Sequence, residues 1–502
     1  MQLSKKILAQ LDAKKITVPP ASLFALPEKV LQFGTGVLLR GLPDHFIDKA
    51  NKQNLFNGRI VVVKSTSNGG TDSFDKQDGL YTLLERGVVD GVQTERTVIN
   101  ASISRVLSAS EEWDAILKCA ASPAMQVIIS NTTEVGIALV ESDAAAEKPV
   151  SFPGRVLCFL LERYRVFNGS SESGMVIIPT ELIVDNGTKL KQIVVTLAKL
   201  KGESGLFLHW LENENDFCNS LVDCIVPGKL PAAEQSAAEK RLGYEDELMI
   251  MSEPYRLWAI ETKRDKTRNI LSFSKCDEGV VLAADINKFR ELKLRLLNAT
   301  HTLSCGLACL SGFATVRDAM RDEAFVTYLS NLMLQEIIPL VAHGNISVEE
   351  ANHFALQVID RFKNPYIEHL WSSIAVQYTS KMAMRVAPLI EKHYTRNHEA
   401  PELMALGFAA YLLFMRSEKR TDGYYGKCNG ADYRITDDKA SLLYSKWQSD
   451  QVINSLHDTA IFGADLSQYP GFAEAVNRYL ILLTRSGAAN ALRSILAKKS
   501  VA

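Results

Sequence analysis

The chain has 502 residues, 47% hydrophobic and 23% charged, the proportions of a globular protein long enough for two domain cores. Its 56 basic and 58 acidic residues leave a net charge of −2, so the basic excess that marks nucleic-acid binders is missing. No uninterrupted apolar stretch reaches the roughly 20 residues of a membrane helix, and Met1-Gln-Leu-Ser-Lys-Lys has no secretory h-region, so a cytoplasmic protein is expected.

The first informative segment runs from Val30 to Phe33, then Gly34-Thr35-Gly36, then an amphipathic stretch, Leu38 to Ile47, that carries Arg40. Strand, glycine turn and helix in that order form a dinucleotide phosphate cradle: the glycines admit the pyrophosphate, and the helix N-terminus offers unpaired N–H groups. The usual third glycine is absent, with Leu39 in its place, and a lone G-x-G is more often only a turn. A second strand, Ile60 to Val63, follows at βαβ spacing and runs into Lys64-Ser65-Thr66-Ser67-Asn68. No carboxylate stands there to hold ribose hydroxyls, so these residues by themselves would tolerate the 2′-phosphate of NADP. Further β-like runs, Val127–Ile129 and Val176–Ile178, end in Asn131-Thr-Thr133-Glu134 and Pro179-Thr-Glu181, where an open α/β sheet places its ligand. Pro227 to Glu239 reads as a surface connection.

After Asp285 the texture changes to long helix-period stretches, among them Ile286–Cys309, Asp318–Ala342, Val348–Phe362, Pro365–Tyr394 and Glu402–Met415. Ser347-x-x-Glu350 has the form of a capping box. The expected fold is an α/β Rossmann-type dinucleotide-binding domain over residues 1–284, followed by an all-α catalytic domain over residues 285–502. On the first helix of the second domain stand Lys293, Asn298 and His301. At about 100° per residue they fall within an arc of roughly 140°, with Leu292, Leu296 and Leu303 on the other side. A lysine beside an amide and an imidazole suits proton transfer to or from a carbinol or carbonyl oxygen. An ammonium is a poor base at neutral pH, so such a site must favour the neutral amine. The alternative is a solvated helix face. A metal mechanism is not expected, because the nine histidines form no H-E-x-x-H or similar cluster. The eight cysteines include no C-x2-C pair and are expected as free thiols, Cys305 and Cys309 as small buried residues.

Several pieces together resemble the polyol-specific long-chain dehydrogenase/reductase family, which includes mannitol dehydrogenases and fructuronate and tagaturonate reductases. They are Phe33-Gly-Thr-Gly36 with Arg40, Asp78-Gly-Leu-Tyr-Thr-Leu83, Thr133-Glu134-x-Gly136, Ser151-Phe-Pro-Gly154, Val222-Asp223-x-Ile225-x-Pro227 and Lys293-x4-Asn298-x2-His301. Pro179 to Gly187, Phe217 to Asp223 and Leu297 to Thr302 are most similar to its tagaturonate reductase branch. The resemblance implies NAD as cofactor, a small sugar acid as the only partner, and a monomer. It also implies Lys293 as general acid/base, with Asn298 and His301 polarising the substrate oxygen. Phe33, Gly34, Thr35, Gly36, Arg40, Lys64, Thr133 and Glu134 are the expected cofactor contacts. Asp223 is either a turn residue or part of a proton path, and Lys381 either lines the substrate pocket or is a solvated helix lysine. The segment from Asp422 to Arg434 is either an ordinary connection or a loop presenting Lys427 or Arg434 to a substrate carboxylate. Cys224 stands where the family carries arginine and removes the ion pair that arginine would make. Leu182 replaces the family's asparagine, which points away from a simple polyol, and Ser373 replaces its arginine, which points to a remodelled pocket. The expected reaction is NADH-dependent reduction of D-tagaturonate to D-altronate. Its rivals are fructuronate/mannonate or fructose/mannitol chemistry, and a non-catalytic NAD(H) sensor.

Overall fold

A computed structural model describes residues 1–65, 71–132, 135–428 and 430–499. It divides into two compact units, residues 1–86 with 93–286, and residues 87–92 with 287–502.

The first unit is built on six strands: β1 (Glu28–Phe33), β2 (Arg59–Lys64), β3 (Ile103–Ser108), β4 (Val127–Ser130), β5 (Val176–Pro179) and β6 (Asp216–Phe217). All pairings are parallel, in the order β3-β2-β1-β4-β5-β6. This is the 3-2-1-4-5-6 order of dinucleotide-binding sheets, in which the order reverses between β1 and β4 and opens a crevice beyond their C-terminal ends. The strands read as continuous Val/Ile runs because both faces are covered. Leu31, Phe33, Val61, Val63 and Ile128 pack on one side with Phe152, Leu157 and Val194, while Val30, Ile60, Val62 and Ile129 pack on the other with Leu39, Phe46 and Ile47. Helix α1 (Val37–Gly41) and helix α2 (Pro43–Lys52) follow β1; α3 (Phe152–Val166) and α4 (Asn186–Lys201) flank β5 in the chain. Two smaller sheets complete the unit. The stretch read as a plain connection contains a helix, Ala232–Leu242, because its Ala, Glu, Gln, Lys and Arg residues are strong helix formers.

The second unit is mainly helical: α5 (287–310), α6 (Glu323–Val341), α7 (Val348–Phe362), α8 (378–394), α9 (Glu402–Phe414) and α10 (Phe472–Ser486) are its long members. The capping box forms at α7, with Glu350 N–H donating to Ser347 Oγ at 3.1 Å and Ser347 N–H to Glu350 Oε2 at 3.0 Å. Helices α5 and α9 cross at glycines. A Cβ on Gly306 would stand 2.7 Å from Ala410 O, and one on Gly407 2.7 Å from Leu303 O. Helix α6 is long and apolar enough to cross a membrane by length and composition, but half of it is buried within the protein, as a core helix is. The segment from Asp422 to Arg434 is no simple helix connection. Gly423–Cys428 and Ala431–Ile435 form an antiparallel hairpin joined by Glu418–Arg420, and Tyr433 stacks on Phe414 at 4.5 Å.

Three of these helices contain π-turns: Lys293–Ala299 in α5, Leu332–Ile337 in α6 and Met382–Val386 in α8. The first alters the geometry inferred for Lys293 and Asn298. On a regular α-helix, residues five apart diverge by about 140°. In a π-turn the hydrogen bond itself spans five residues, so the two stand one turn apart along the helix.

Candidate active site

In the first unit the turn after β1 has the shape of a phosphate cradle. Gly34 holds φ at +128°, and a Cβ there would lie 2.9 Å from Leu39 Cδ1 and 3.1 Å from Asn131 O, so glycine is required by both conformation and space. Its N–H donates to Val63 O at 3.0 Å, and Asn131 N–H donates to Phe33 O at 3.2 Å, which fixes the turn against β2 and β4. Gly36 differs. It is exposed, caps α1 with φ −63°, and a Cβ on it would meet nothing within 4 Å. The open volume in front of a helix N-terminus, reached over a residue without a side chain, fits a pyrophosphate. Thr35 between them is half-buried. Phe33 is fully buried and packs edge-on to Phe152 at 5.1 Å, so its side chain serves the core.

The neighbouring strand ends are tied together. Buried Glu181 accepts from Ser130 Oγ at 3.1 Å, Thr132 N–H at 2.8 Å and Thr132 Oγ1 at 2.9 Å, while Asn131 Nδ2 donates to Thr180 O at 3.1 Å. Thr133 and Glu134, expected as cofactor contacts, lie outside the described residues. Lys64 ends β2 and is largely buried; residues 66–70 beyond it are likewise not described. Arg40 turns into the unit rather than toward the turn's open side. Its guanidinium donates to Leu248 O, lies over the Tyr81 ring at 5.3 Å, and is pushed below the usual arginine range by burial. Asp223 is buried at the end of the strand Ser220–Asp223.

In the second unit, helix α5 presents the three polar residues while Leu292, Leu296 and Leu303 are buried, as the apolar pattern requires. Lys293 and Asn298 are half-buried and share the π-turn. His301 lies one α-turn further on, stacked on Phe362 with centroids 4.0 Å apart and edge-on to His369 at 5.2 Å. It is 8% exposed, and its Nε2 has no hydrogen-bond partner. Burial, then the positive surroundings of His369, Arg361, Arg385 and Lys381, hold it far below the usual imidazole range. It is therefore a neutral ring at physiological pH, with a polar nitrogen left for a ligand oxygen.

Helix α8 runs beside α5. Tyr378 ties the two: its hydroxyl accepts Gly306 N–H at 2.8 Å and donates to Thr302 O at 2.7 Å. Arg295 joins the π-turns, donating to Arg385 O at 2.9 Å. Lys381 thus belongs to this neighbourhood, where its Nζ donates to Ile374 O at 2.8 Å. Lys427 and Arg434 sit on the hairpin. Lys427 is exposed, and Arg434 donates to Asp422 O at 2.8 Å and borders an apolar cavity with Phe313, Phe414 and Trp371, the last edge-on to His301 at 6.0 Å. Arg385 was missed by the reading of the sequence. The available signal was its i,i+4 spacing from Lys381, a like-charge pair that destabilises a helix unless something anionic compensates it.

A Rossmann-type sheet with an open glycine cradle, followed by a helical unit carrying Lys, Asn and His on one helix, defines a two-domain dehydrogenase. The mannitol dehydrogenase Rossmann domain model matches residues 28–272, and the mannitol dehydrogenase C-terminal domain model residues 285–482. The chain is 36% identical over 489 residues to the altronate oxidoreductase of Halalkalibacterium halodurans, covering 94% of each chain. It is 35% identical to that of Bacillus subtilis, covering 93% of this chain and 95% of the relative. Among solved structures it is similar to Pseudomonas fluorescens mannitol 2-dehydrogenase in a ternary complex with NAD and D-mannitol (TM-score 0.70, 23% identity, 99% of this chain and 100% of the other). A substrate-free D-sorbitol dehydrogenase gives TM-score 0.77 at 20% identity, over 98% of this chain and 100% of the other. The chain belongs to the mannitol dehydrogenase family and is an NAD-dependent dehydrogenase acting on a CH–OH group.

Proposed function

We propose that the protein interconverts D-tagaturonate and D-altronate, with reduction of the keto acid as the physiological direction. The observation that carries the chemistry is the π-turn of α5, which stacks Lys293 and Asn298 and leads into the buried, unpartnered Nε2 of His301. The substrate assignment is supported by the altronate oxidoreductases of two organisms, which align over nearly the whole chain.

The glycine turn at Gly34 and Gly36 would hold the cofactor's pyrophosphate, and a nicotinamide bound there would supply or accept the hydride. The chain's own residues manage the oxygen. Asn298, through its amide, and His301, through a neutral ring nitrogen, hold the carbonyl oxygen and favour the charge that develops on it. Lys293 gives that oxygen its proton during reduction and takes it back during oxidation. An uncharged His301 polarises the oxygen without competing with Lys293 for the role of acid.

The test is loss of 340 nm absorbance when NADH or NADPH is mixed with tagaturonate, fructuronate, fructose or fructose 6-phosphate. Tagaturonate with NADH is expected to give the highest kcat/KM. Equal or better turnover of fructose refutes the uronate assignment and leaves the dehydrogenase class intact.

A further inference from the structure

Helix α8 carries two cations beside the catalytic helix. Arg385 Nη1 donates to Thr302 Oγ1 at 3.3 Å, and Thr302 Oγ1 in turn donates to Asn298 O at 2.7 Å, which places the guanidinium against the Asn298–Thr302 turn. Lys381, four residues earlier, reaches only a neutral acceptor, Ile374 O. Both side chains are partly withdrawn from water, and burial lowers both below their usual ranges. Neither makes an ion pair with a carboxylate among the described residues. Asp437, the carboxylate felt by Lys381, already accepts Thr379 N–H at 2.7 Å and Lys439 N–H at 2.8 Å. Arg361, a third cation near His301, has contacts of its own. Two like charges one turn apart, half-buried and without a counter-ion, cost stability unless an anion joins them. Next to them stands the orphaned Nε2 of His301, which also lacks a partner.

We propose that Arg385 reads the carboxylate of the substrate, with Lys381 as the second cation, so that α8 sets acid specificity while α5 handles the keto oxygen. This rests on the ketohexuronate reading above. A guanidinium can hold a carboxylate through two parallel hydrogen bonds, which adds direction to charge. A neutral ketose leaves the cations unpaired, and that difference is the discrimination. The exposed hairpin cations Lys427 and Arg434 have no part in it.

The experiment compares wild type, Arg385→Met, Arg385→Lys, Lys427→Met and Arg434→Met, each with NADH and either tagaturonate or fructose, alongside melting temperature and NADH affinity. Arg385→Met is expected to lower the tagaturonate-to-fructose ratio of kcat/KM about a hundredfold or more, through KM for the acid. Arg385→Lys keeps the charge but not the fork and is expected to fall between, which preserves the test if the Met variant does not fold. An unchanged ratio in a folded Arg385 variant overturns the proposal, as does an equal loss on both substrates, the mark of a structural role. A shifted ratio in the Lys427 or Arg434 variant overturns it too. A wild type that prefers fructose defeats the uronate reading itself, an outcome visible before any variant is measured.

Discussion

Gly34 and Gly36 lie two residues apart in one turn, yet substitution at them has opposite consequences. At Gly36 the backbone is at φ −63° and ψ 157°, open to any L-residue, and an added Cβ meets no protein atom within 4 Å. Gly36→Val therefore costs the fold little beyond a poorer helix N-cap, about 1 kcal/mol at most. The same side chain fills the space in front of α1 where the pyrophosphate must come. Losing even two charge-assisted hydrogen bonds to backbone N–H groups, each about 1.5–3 kcal/mol, weakens cofactor binding by about two orders of magnitude or more. Gly34→Ala reverses the balance. A φ of +128° costs about 1–3 kcal/mol for a residue with a Cβ, and the contacts at 2.9 Å to Leu39 and 3.1 Å to Asn131 add overpacking of similar size. That variant is expected to melt several degrees lower. NADH fluorescence titration and thermal unfolding on both variants read the two effects separately. A Gly36→Val protein that binds NADH with wild-type affinity refutes the cradle, and one that unfolds as readily as Gly34→Ala refutes the open space.

Lys293→Ala is expected to leave NADH affinity intact and reduce turnover by about two to four orders of magnitude in steady-state assays, with Asn298→Ala and His301→Ala losing rate by amounts that do not multiply. Asp44 is fully buried beside Gln32 and Arg40, and burial pushes its carboxyl up to about 8. Because the folded state then holds a proton that the unfolded chain releases near pH 4, this residue's contribution to stability declines as pH rises from about 4 to 8. Denaturant unfolding at pH 5 and 8 should show a smaller decline in Asp44→Asn than in wild type; an identical pH slope contradicts the assignment. Tyr378→Phe removes the buried hydroxyl that bridges Gly306 N–H and Thr302 O, so it should destabilise by about 0.5–1.5 kcal/mol in chemical denaturation.

Much was legible in the chain itself, and for local reasons. Val30–Phe33 and Ile60–Val63 are buried on both faces of a parallel sheet, so their apolar runs mark them as strands. Gly34 marks the turn because no side chain fits there, and Gly36 because a dinucleotide cradle keeps the helix N-terminus open. Ser347 and Glu350 close a capping box through contacts three residues apart, and Lys293, Asn298 and His301 stand on one helix by spacing alone. What only the tertiary structure decided involves contacts between distant segments, or a choice of helical hydrogen bond that composition does not encode. The residues from Lys293 to Ala299 are ordinary helix formers, and nothing in them announces a five-residue hydrogen bond; the π-turn lies where this segment packs against α7 and α8. Arg40 follows the glycine turn in sequence but points to Leu248, about two hundred positions away, because Tyr81 and Phe74 offer its guanidinium an aromatic bed there. The sequence left the segment with Lys427 and Arg434 open between a plain connection and a loop; that it is an antiparallel hairpin depends on the pairing of Gly423–Cys428 with Ala431–Ile435. Arg385 stands among ordinary helix residues, and only the packing of α8 on α5 sets it against Thr302. Spacing along a chain fixes which side chains share a helix face; which face meets which is set by packing over the whole unit.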